Sequence, residues 1–372
     1  GRFLPYFFPD VFSSDGDPIG EANNSWLAAR RAIVRSPLDR IGYGGYLSLA
    51  VQFPDFIDRI AQIANEFREL HEKTAGELPH NTAPRVAILT AWGKLRSWQT
   101  HMVAHALWYK QIYSYLGVLE ALAGLPCQVD FLSYQDVIDS KIEADVLIIA
   151  GAGDTAFAGG PEWAAQELPA AIRSFVARGG GLIGVGEPSY YPRQGTALVL
   201  SDVLGVDREL GWSLSTDRYF SVEPHFITAD LPSEKTTDSN QSTLIFNPGE
   251  RIGDVVVTSS QTKVAAAFEG SVDIATNSFG RGRAVYLSGC AYSTDNTRLL
   301  HRSLYWAAGR DQSWEENWVA DDSRVEVAEY RDQNLLLVLN NCAEQLEIKL
   351  CRLGSTRNLS LDPMASQWLS LS

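Results

Sequence analysis

The chain has 372 residues, 45% of them apolar, and a formal net charge of −14. That length suits two or three domains, and the apolar fraction is enough to bury sizeable cores. The acidic balance argues against nucleic acid or an anionic membrane as the main partner, and four cysteines are far too few for a disulfide scaffold. No run of 18 apolar residues is present, and the cysteines' neighbours suggest buried free thiols. The chain opens on Gly1 and a dozen aromatic and apolar residues, so it is expected to be the second part of a longer protein.

Phe3, Tyr6, Phe7, Phe8, Val11 and Phe12 form a strand-like opening, which Asp15-Gly-Asp-Pro18 breaks. Residues 25–35 predict a helix with Trp26, Ala29 and Ile33 on one side and Arg30, Arg31 and Arg35 on another, the arginines solvated, stopped by Pro37. Asp39–Leu47 predicts a short strand ending in glycines. From Pro54 to His71 the apolar residues Phe56, Ile57, Ile60, Ile63, Ala64, Phe67 and Leu70 predict one buried helix face. Helix, strand, glycine loop and helix is the rhythm of the last turns of an α/β barrel, with too few units to close one. Residues 1–77 are therefore expected to be a barrel's C-terminal part, leaving an apolar face for the missing strands.

After a polar, proline-containing linker at 78–84, residues 85–310 alternate strand and helix. Arg85–Thr90, Gln128–Leu132, Asp145–Ala150 and Leu182–Val185 predict strands, the last two buried on both faces because they do not alternate. Helices are predicted over 99–123, 161–178 and 297–308, and a hairpin about Gly280-Arg-Gly282. The expected architecture is a doubly wound three-layer sandwich. From 311 to 372 the strands Val325–Val327, Leu335–Val338, Leu346–Leu350 and Leu359–Leu361 are taken to alternate at period two, predicting a small separate antiparallel β domain.

Candidate chemistry is sparse. Gly151-Ala-Gly-Asp-Thr-Ala156 matches a dinucleotide fingerprint in letters, but it follows the third strand and no helix comes at once, so a plain turn is favoured. Gly184-Val-Gly-Glu-Pro188 sits where a nucleophile elbow would. The nucleophile slot holds Gly186, beside Glu187, and Ser189 does not restore the geometry. This looks like a class I glutamine amidotransferase fold with its cysteine lost. A hydrolase using Glu187 is a remote alternative. His101 and His105 are one helical turn apart without the glutamate or third ligand of a zinc site; no metal site is expected. His80, His225 and His301 have no partner visible in the sequence. Tyr43-Gly-Gly-Tyr46 is a strand end where backbone N–H groups can approach an anion, or simply a tight turn.

Arg2–Phe12, Ala28–Ile33, Asp39–Ala50, Phe53–Phe56, Asn65–Arg68 and Val86–Trp98 resemble the 1,3-β-galactosyl-N-acetylhexosamine (galacto-N-biose/lacto-N-biose) phosphorylases, over essentially the whole chain. The resemblance implies an N-terminal catalytic TIM barrel, a central amidotransferase-like domain and a C-terminal β domain. It implies inverting phosphorolysis of galactosyl-β1,3-N-acetylhexosamine in the cytoplasm, by a homodimer, with inorganic phosphate as co-substrate and no cofactor. It makes Arg2 a phosphate contact and sets Tyr6 and Phe8 in the N-acetylhexosamine pocket; Tyr43 and Gly44, from the strand-end reading, are added as candidate substrate or phosphate contacts. The general acid is expected upstream of Gly1, and Asp10 is taken as a loop-ordering carboxylate. The other class of reading is a non-catalytic amidotransferase-like module for oligomerisation or glycan binding.

Overall fold

The computed structural model describes residues 9–13, 15–42, 47–90, 113–153, 158–193, 195–211, 220–235, 242–249, 251 and 253–371. The chain is a multidomain α/β protein that divides into two compact units. Unit one comprises residues 1–81, 123–126 and 315–372; unit two comprises 82–122 and 127–314.

Unit one begins with helix α1, Pro18–Arg35. It starts earlier than the apolar spacing predicts, because Asp17 caps it, accepting from the Gly20 N–H at 2.8 Å, and Pro18 occupies the first turn. The turn chemistry at Asp15–Pro18 is thus the helix start as well as a break. Helix α2, Pro54–Thr74, buries Phe56, Ile63 and Leu70 at intervals of one heptad, while Ile57 is exposed. Glu66 joins the two helices: it accepts from Trp26 Nε1 at 2.5 Å and pairs with Arg59 at 2.9 Å.

Unit two is built on strands β1 (Val86–Leu89), β2 (Val129–Leu132), β3 (Val146–Gly151) and β4 (Gly181–Gly186). Short strands β5 (Tyr190–Arg193), β6 (Thr196–Leu198), β7 (Val206–Arg208) and β8 (Val255–Val257) follow. Then come β9 (Lys263–Phe268), β10 (Ser271–Phe279) and β11 (Gly282–Leu287). The main sheet has seven strands in the order β9-β10-β11-β4-β3-β1-β2. Strands β2, β1, β3, β4 and β11 are parallel, and β10 and β9 add an antiparallel edge. The hairpin joining β10 and β11 pairs Phe279 with Gly282, as the Gly280-Arg-Gly282 pattern predicts.

The described helices of this unit are α3 (Tyr113–Ala123), α4 (Tyr134–Ile138), α5 (Glu167–Ala177), α6 (Ser201–Leu204) and α7 (Thr294–Ala307). Ala87, Leu89, Leu147, Ile149 and Leu182 share one core with Ile172 and Val176 of α5 and Val203 of α6. Their alternate neighbours, such as Ile88, Ile148 and Ile183, are equally buried and face the other way; α7 packs on β4 and β11. Burial on both faces explains strands without polar alternation. Pro161 opens only a 3₁₀ turn, Pro161–Ala164; Ala165 turns extended, and α5 starts at Glu167. His301 is a satisfied core histidine, its Nε2 lying 2.7 Å from the Ala121 carbonyl oxygen. His225 caps the 3₁₀ turn Phe226–Thr228: its Nδ1 accepts from the Ile227 N–H at 3.3 Å, and its ring meets Trp306 edge-on at 5.2 Å.

The chain returns to unit one with β12 (Val325–Tyr330), β13 (Leu335–Asn340), β14 (Leu346–Arg352), β15 (Ser355–Leu361) and β16 (Ser366–Ser370). One antiparallel sheet is β12-β13-β16; the other joins Val319–Ala320 to β14 and β15. Only β14 alternates cleanly, with Leu346, Ile348 and Leu350 in and Glu347, Lys349 and Cys351 out. β13 does not. Leu336 and Val338 belong to a core with Leu346, Ile348 and Leu361, while Leu337 and Leu339 pack with Trp26, Phe56, Ile63 and Leu70. The apolar faces of α1 and α2 are thus covered by this chain's own C-terminal strands rather than left bare. Each such side chain withdrawn from water contributes about 1.5–3 kcal/mol. Leu38, Leu47, Val51 and Ile57 remain exposed.

The same contact overturns the expectation of solvated arginines. Arg30 and Arg31 are buried. Arg30 donates to the backbone oxygens of Met364 (2.8 Å) and Asn340 (2.9 Å), to Ser366 Oγ (2.9 Å) and to Asn341 Oδ1 (3.3 Å). Arg31 pairs with Glu326 at 2.7 Å, and Arg35 lies 3.7 Å from the same carboxylate. Burial lowers the Arg30 pKa to about 10, against the opposing pull of Glu66 and Glu326, so it stays cationic at neutral pH.

Two predictions follow from these caps and clamps. Arg30→Ala leaves several buried acceptors unpaired and should destabilise unit one by about 3 kcal/mol in denaturant unfolding, with Arg30→Lys recovering only part; a loss within error of zero contradicts the clamp. Burial, with Lys263 and Arg283 nearby and Asp311 opposing, holds His225 below its ordinary pKa of 6.5. A lowered histidine pKa gives stability that is present above the unfolded value and lost as pH falls through the folded one. The unfolding midpoint of the parent should therefore fall more between about pH 7.5 and about pH 5.5 than that of His225→Asn, which keeps an acceptor at the cap.

Candidate functional site

The five predicted binding residues, Arg2, Tyr6, Phe8, Tyr43 and Gly44, lie outside the described residues, as do His101, His105 and residues 154–157. Asp10 falls in the 3₁₀ turn Pro9–Phe12, and its side chain is outside the described set. In unit one a hollow of about 460 Å³ is lined by Val11, Ser13, Asp15, Asp17, Glu21 and Asn24. Its carboxylates suit it poorly to phosphate.

The predicted elbow in unit two, Gly184–Pro188, is fully described: β4 leads through it into strand β5 and not into the helix that a nucleophile elbow needs. β3 and β4 run parallel, ending together at Gly151 and Gly186. Gly186 has φ +78°, and a Cβ there would stand 2.6 Å from the Gly151 oxygen, so the slot accepts no side chain. Glu187 follows, 5% exposed. Its N–H donates to the Gly151 oxygen at 2.9 Å. Its Oε2 accepts from the Gly153 N–H at 2.7 Å, and its Oε1 is paired with Arg208 Nη1. The Arg208 guanidinium lies over the Tyr190 ring at 5.4 Å. Tyr286 OH donates to the Gly186 oxygen at 3.1 Å. Ser189, also at positive φ, is buried, and its Oγ accepts from the Leu200 N–H at 3.0 Å.

Among the described residues here, the candidate groups for acyl chemistry are tied to the fold. Glu187 has both oxygens engaged, and Ser189 holds a turn. The third candidate, Asp207, accepts from the N–H groups of Ala197, Leu198 and Arg208; burial raises its pKa against those bonds. None of the four cysteines forms a disulfide, and of the four only Cys290 is buried. Burial pushes the Cys290 thiol up to about 12, far from a thiolate nucleophile. Gly153, second glycine of the G-x-G-x-x-A string, gives its N–H to Glu187, and a Cβ there would lie 2.3 Å from the Tyr190 ring. That close approach is the reason for the glycine. Sequence reasoning singled out Glu187 but missed Arg208, whose pairing depends on β7 and has no motif.

A second concavity, of about 1010 Å³, lies against edge strand β9, lined by Glu223, Pro224, His225, Phe226, Thr228 and Ala266 among others. Among the described residues no group of three His, Cys, Asp or Glu side chains is placed to hold a metal ion, and no helix is long and apolar enough to cross a membrane.

Comparison with known proteins gives this architecture its kin. A family model described as the lacto-N-biose phosphorylase central domain matches residues 85–312, more than half of the chain, and one described as the lacto-N-biose phosphorylase N-terminal TIM barrel domain matches residues 1–82. A 1,3-β-galactosyl-N-acetylhexosamine phosphorylase of Lachnoclostridium phytofermentans is 46% identical over 351 residues, 93% of this chain and 46% of that protein. A second protein of that name from the same organism is 43% identical, over 99% of this chain and 49% of its own length. One from Bifidobacterium longum subsp. longum is 41% identical, over 99% and 52%. The chain spans about half the length of these curated relatives. With a family model over more than half of its residues and another over its first 82, the chain belongs to the lacto-N-biose phosphorylase family.

Proposed function

We propose that this chain is part of an inverting glycoside phosphorylase that converts galactosyl-β1,3-N-acetylhexosamine and phosphate to α-galactose 1-phosphate and free N-acetylhexosamine. The observation that carries the reading is 41–46% identity, across 93–99% of the chain, to relatives named for that activity. In this reaction a carboxylic acid gives its proton to the glycosidic oxygen as the bond to the anomeric carbon breaks. A phosphate oxygen attacks that carbon from the opposite face. Phosphate is already an anionic nucleophile, so no general base and no cofactor are needed; cationic and N–H donors hold it in line.

In this proposal Arg2 contacts phosphate, Tyr6 and Phe8 line the N-acetylhexosamine pocket, and Tyr43 and Gly44 contribute further substrate or phosphate contacts. The general acid lies in barrel sequence beyond this chain. The family's barrel domain is matched by only 82 residues here, whereas a complete (β/α)₈ barrel takes roughly 250. Unit two serves as an amidotransferase-like scaffold without a nucleophile, consistent with Glu187 and Ser189 being tied to the fold. The C-terminal strands form a β domain that supports the barrel segment. A cytoplasmic homodimer acting on imported disaccharide completes the reading.

The test is galactose 1-phosphate release from galacto-N-biose and phosphate, by this chain alone and after mixing with a separately expressed N-terminal barrel portion. The expected result is no turnover alone and turnover on mixing. Turnover by the chain alone contradicts the placement of the acid. No turnover with both parts folded contradicts the phosphorylase reading.

A further inference from the structure

At the elbow, one carboxylate oxygen of Glu187 takes a backbone N–H from Gly153 at 2.7 Å and the other takes the Arg208 guanidinium. The constellation stands at the carboxyl ends of adjacent parallel strands β3 and β4, where open α/β sheets bind their ligands. A backbone N–H held by a turn and a guanidinium fixed by a ring are the donors such sheets offer to an anion. Arg208 is held over Tyr190 at 5.4 Å, and its side chain is 30% exposed. The Glu187 side chain is 7% exposed. It fills the site from inside.

We infer that the Gly153 N–H and Arg208 form a binding site for a small monocarboxylate, and that Glu187 is its built-in occupant. Glu187→Ala removes the Cγ, the Cδ and both carboxylate oxygens, which are the heavy atoms of acetate. It leaves both donors in place. Acetate should therefore enter the vacated site with its two oxygens on the two donors, its methyl group where Cγ was. Propionate carries one carbon too many for that space. Phosphate presents a tetrahedral rather than a planar pair of oxygens. The inference is independent of the phosphorylase reading, because it concerns only the elbow of unit two.

The experiment is thermal unfolding of the full chain, of Glu187→Ala and of Glu187→Ala/Arg208→Met, in acetate, propionate, phosphate or chloride at matched ionic strength. Glu187→Ala should melt lower than the parent. At about 100 mM acetate its midpoint should rise by about 3 °C, with a smaller rise in propionate and none beyond the chloride control in phosphate. The parent and the double variant should not respond to acetate. Equal response of all three proteins to acetate, no response in Glu187→Ala, or equal stabilisation by phosphate overturns the inference. Should Glu187→Ala fail to fold, a double-mutant cycle of Glu187→Gln and Arg208→Met in the otherwise native chain decides instead. The two losses should be strongly non-additive, because each leaves the other partner unmatched; additivity overturns the site.

Discussion

Withdrawing a guanidinium from water costs several kcal/mol unless oxygens take the place of the solvent. Arg30 meets that condition only because β13 and the segment leading into β16 bring the oxygens of Asn340, Met364 and Ser366 to helix α1. Arg31 adds a charged partner, Glu326, from β12. The rest of unit one hangs on this juxtaposition. The apolar faces of α1 and α2 are dry because the same strands cover them, with Leu337 and Leu339 on Trp26, Phe56 and Ile63. Tyr330 closes the contact by donating to the Val34 oxygen at 2.7 Å. Residues far apart in the chain thereby become one core, and the segment that belongs to the family's barrel domain is held in shape by the C-terminal strands.

How much of this was legible depended on whether the signal was local. Strands β1, β3 and β4, the β10–β11 hairpin and helices α1 and α2 follow from period, proline, glycine and capping chemistry within a few residues. The burial of Arg30 and Arg31 does not, since its cause lies more than 290 residues away. One clue was present: Leu335-Leu-Leu-Val-Leu339 is apolar throughout, and a strand with one wet face should alternate. Treating it as alternating hid the second layer against which it packs. The start of α1 was missed for the opposite reason, because Asp17-Pro18 is strong punctuation that both ends a turn and begins a helix.

The candidate site divides in the same way. The string Gly184–Pro188 suffices to show that no Ser or Cys stands at the turn after β4. It does not show what Glu187 does, which depends on a glycine N–H from the neighbouring strand end and an arginine from β7. A carboxylate so engaged is a fastener and not a base. The chemistry proposed above, attack by a phosphate oxygen with a carboxylic acid as proton donor, draws on neither of these groups.

The most direct test of this account is the identity of the product formed by the full-length protein, of which this chain is taken to be part. Galacto-N-biose and phosphate should be followed by proton and phosphorus NMR. The account predicts that phosphate is consumed and that the first galactosyl product is α-galactose 1-phosphate, with N-acetylgalactosamine released in equal amount. Free galactose with phosphate unconsumed, or a β-configured phosphate ester, would contradict inverting phosphorolysis and the assignment of the barrel's cation and glycine turn to phosphate.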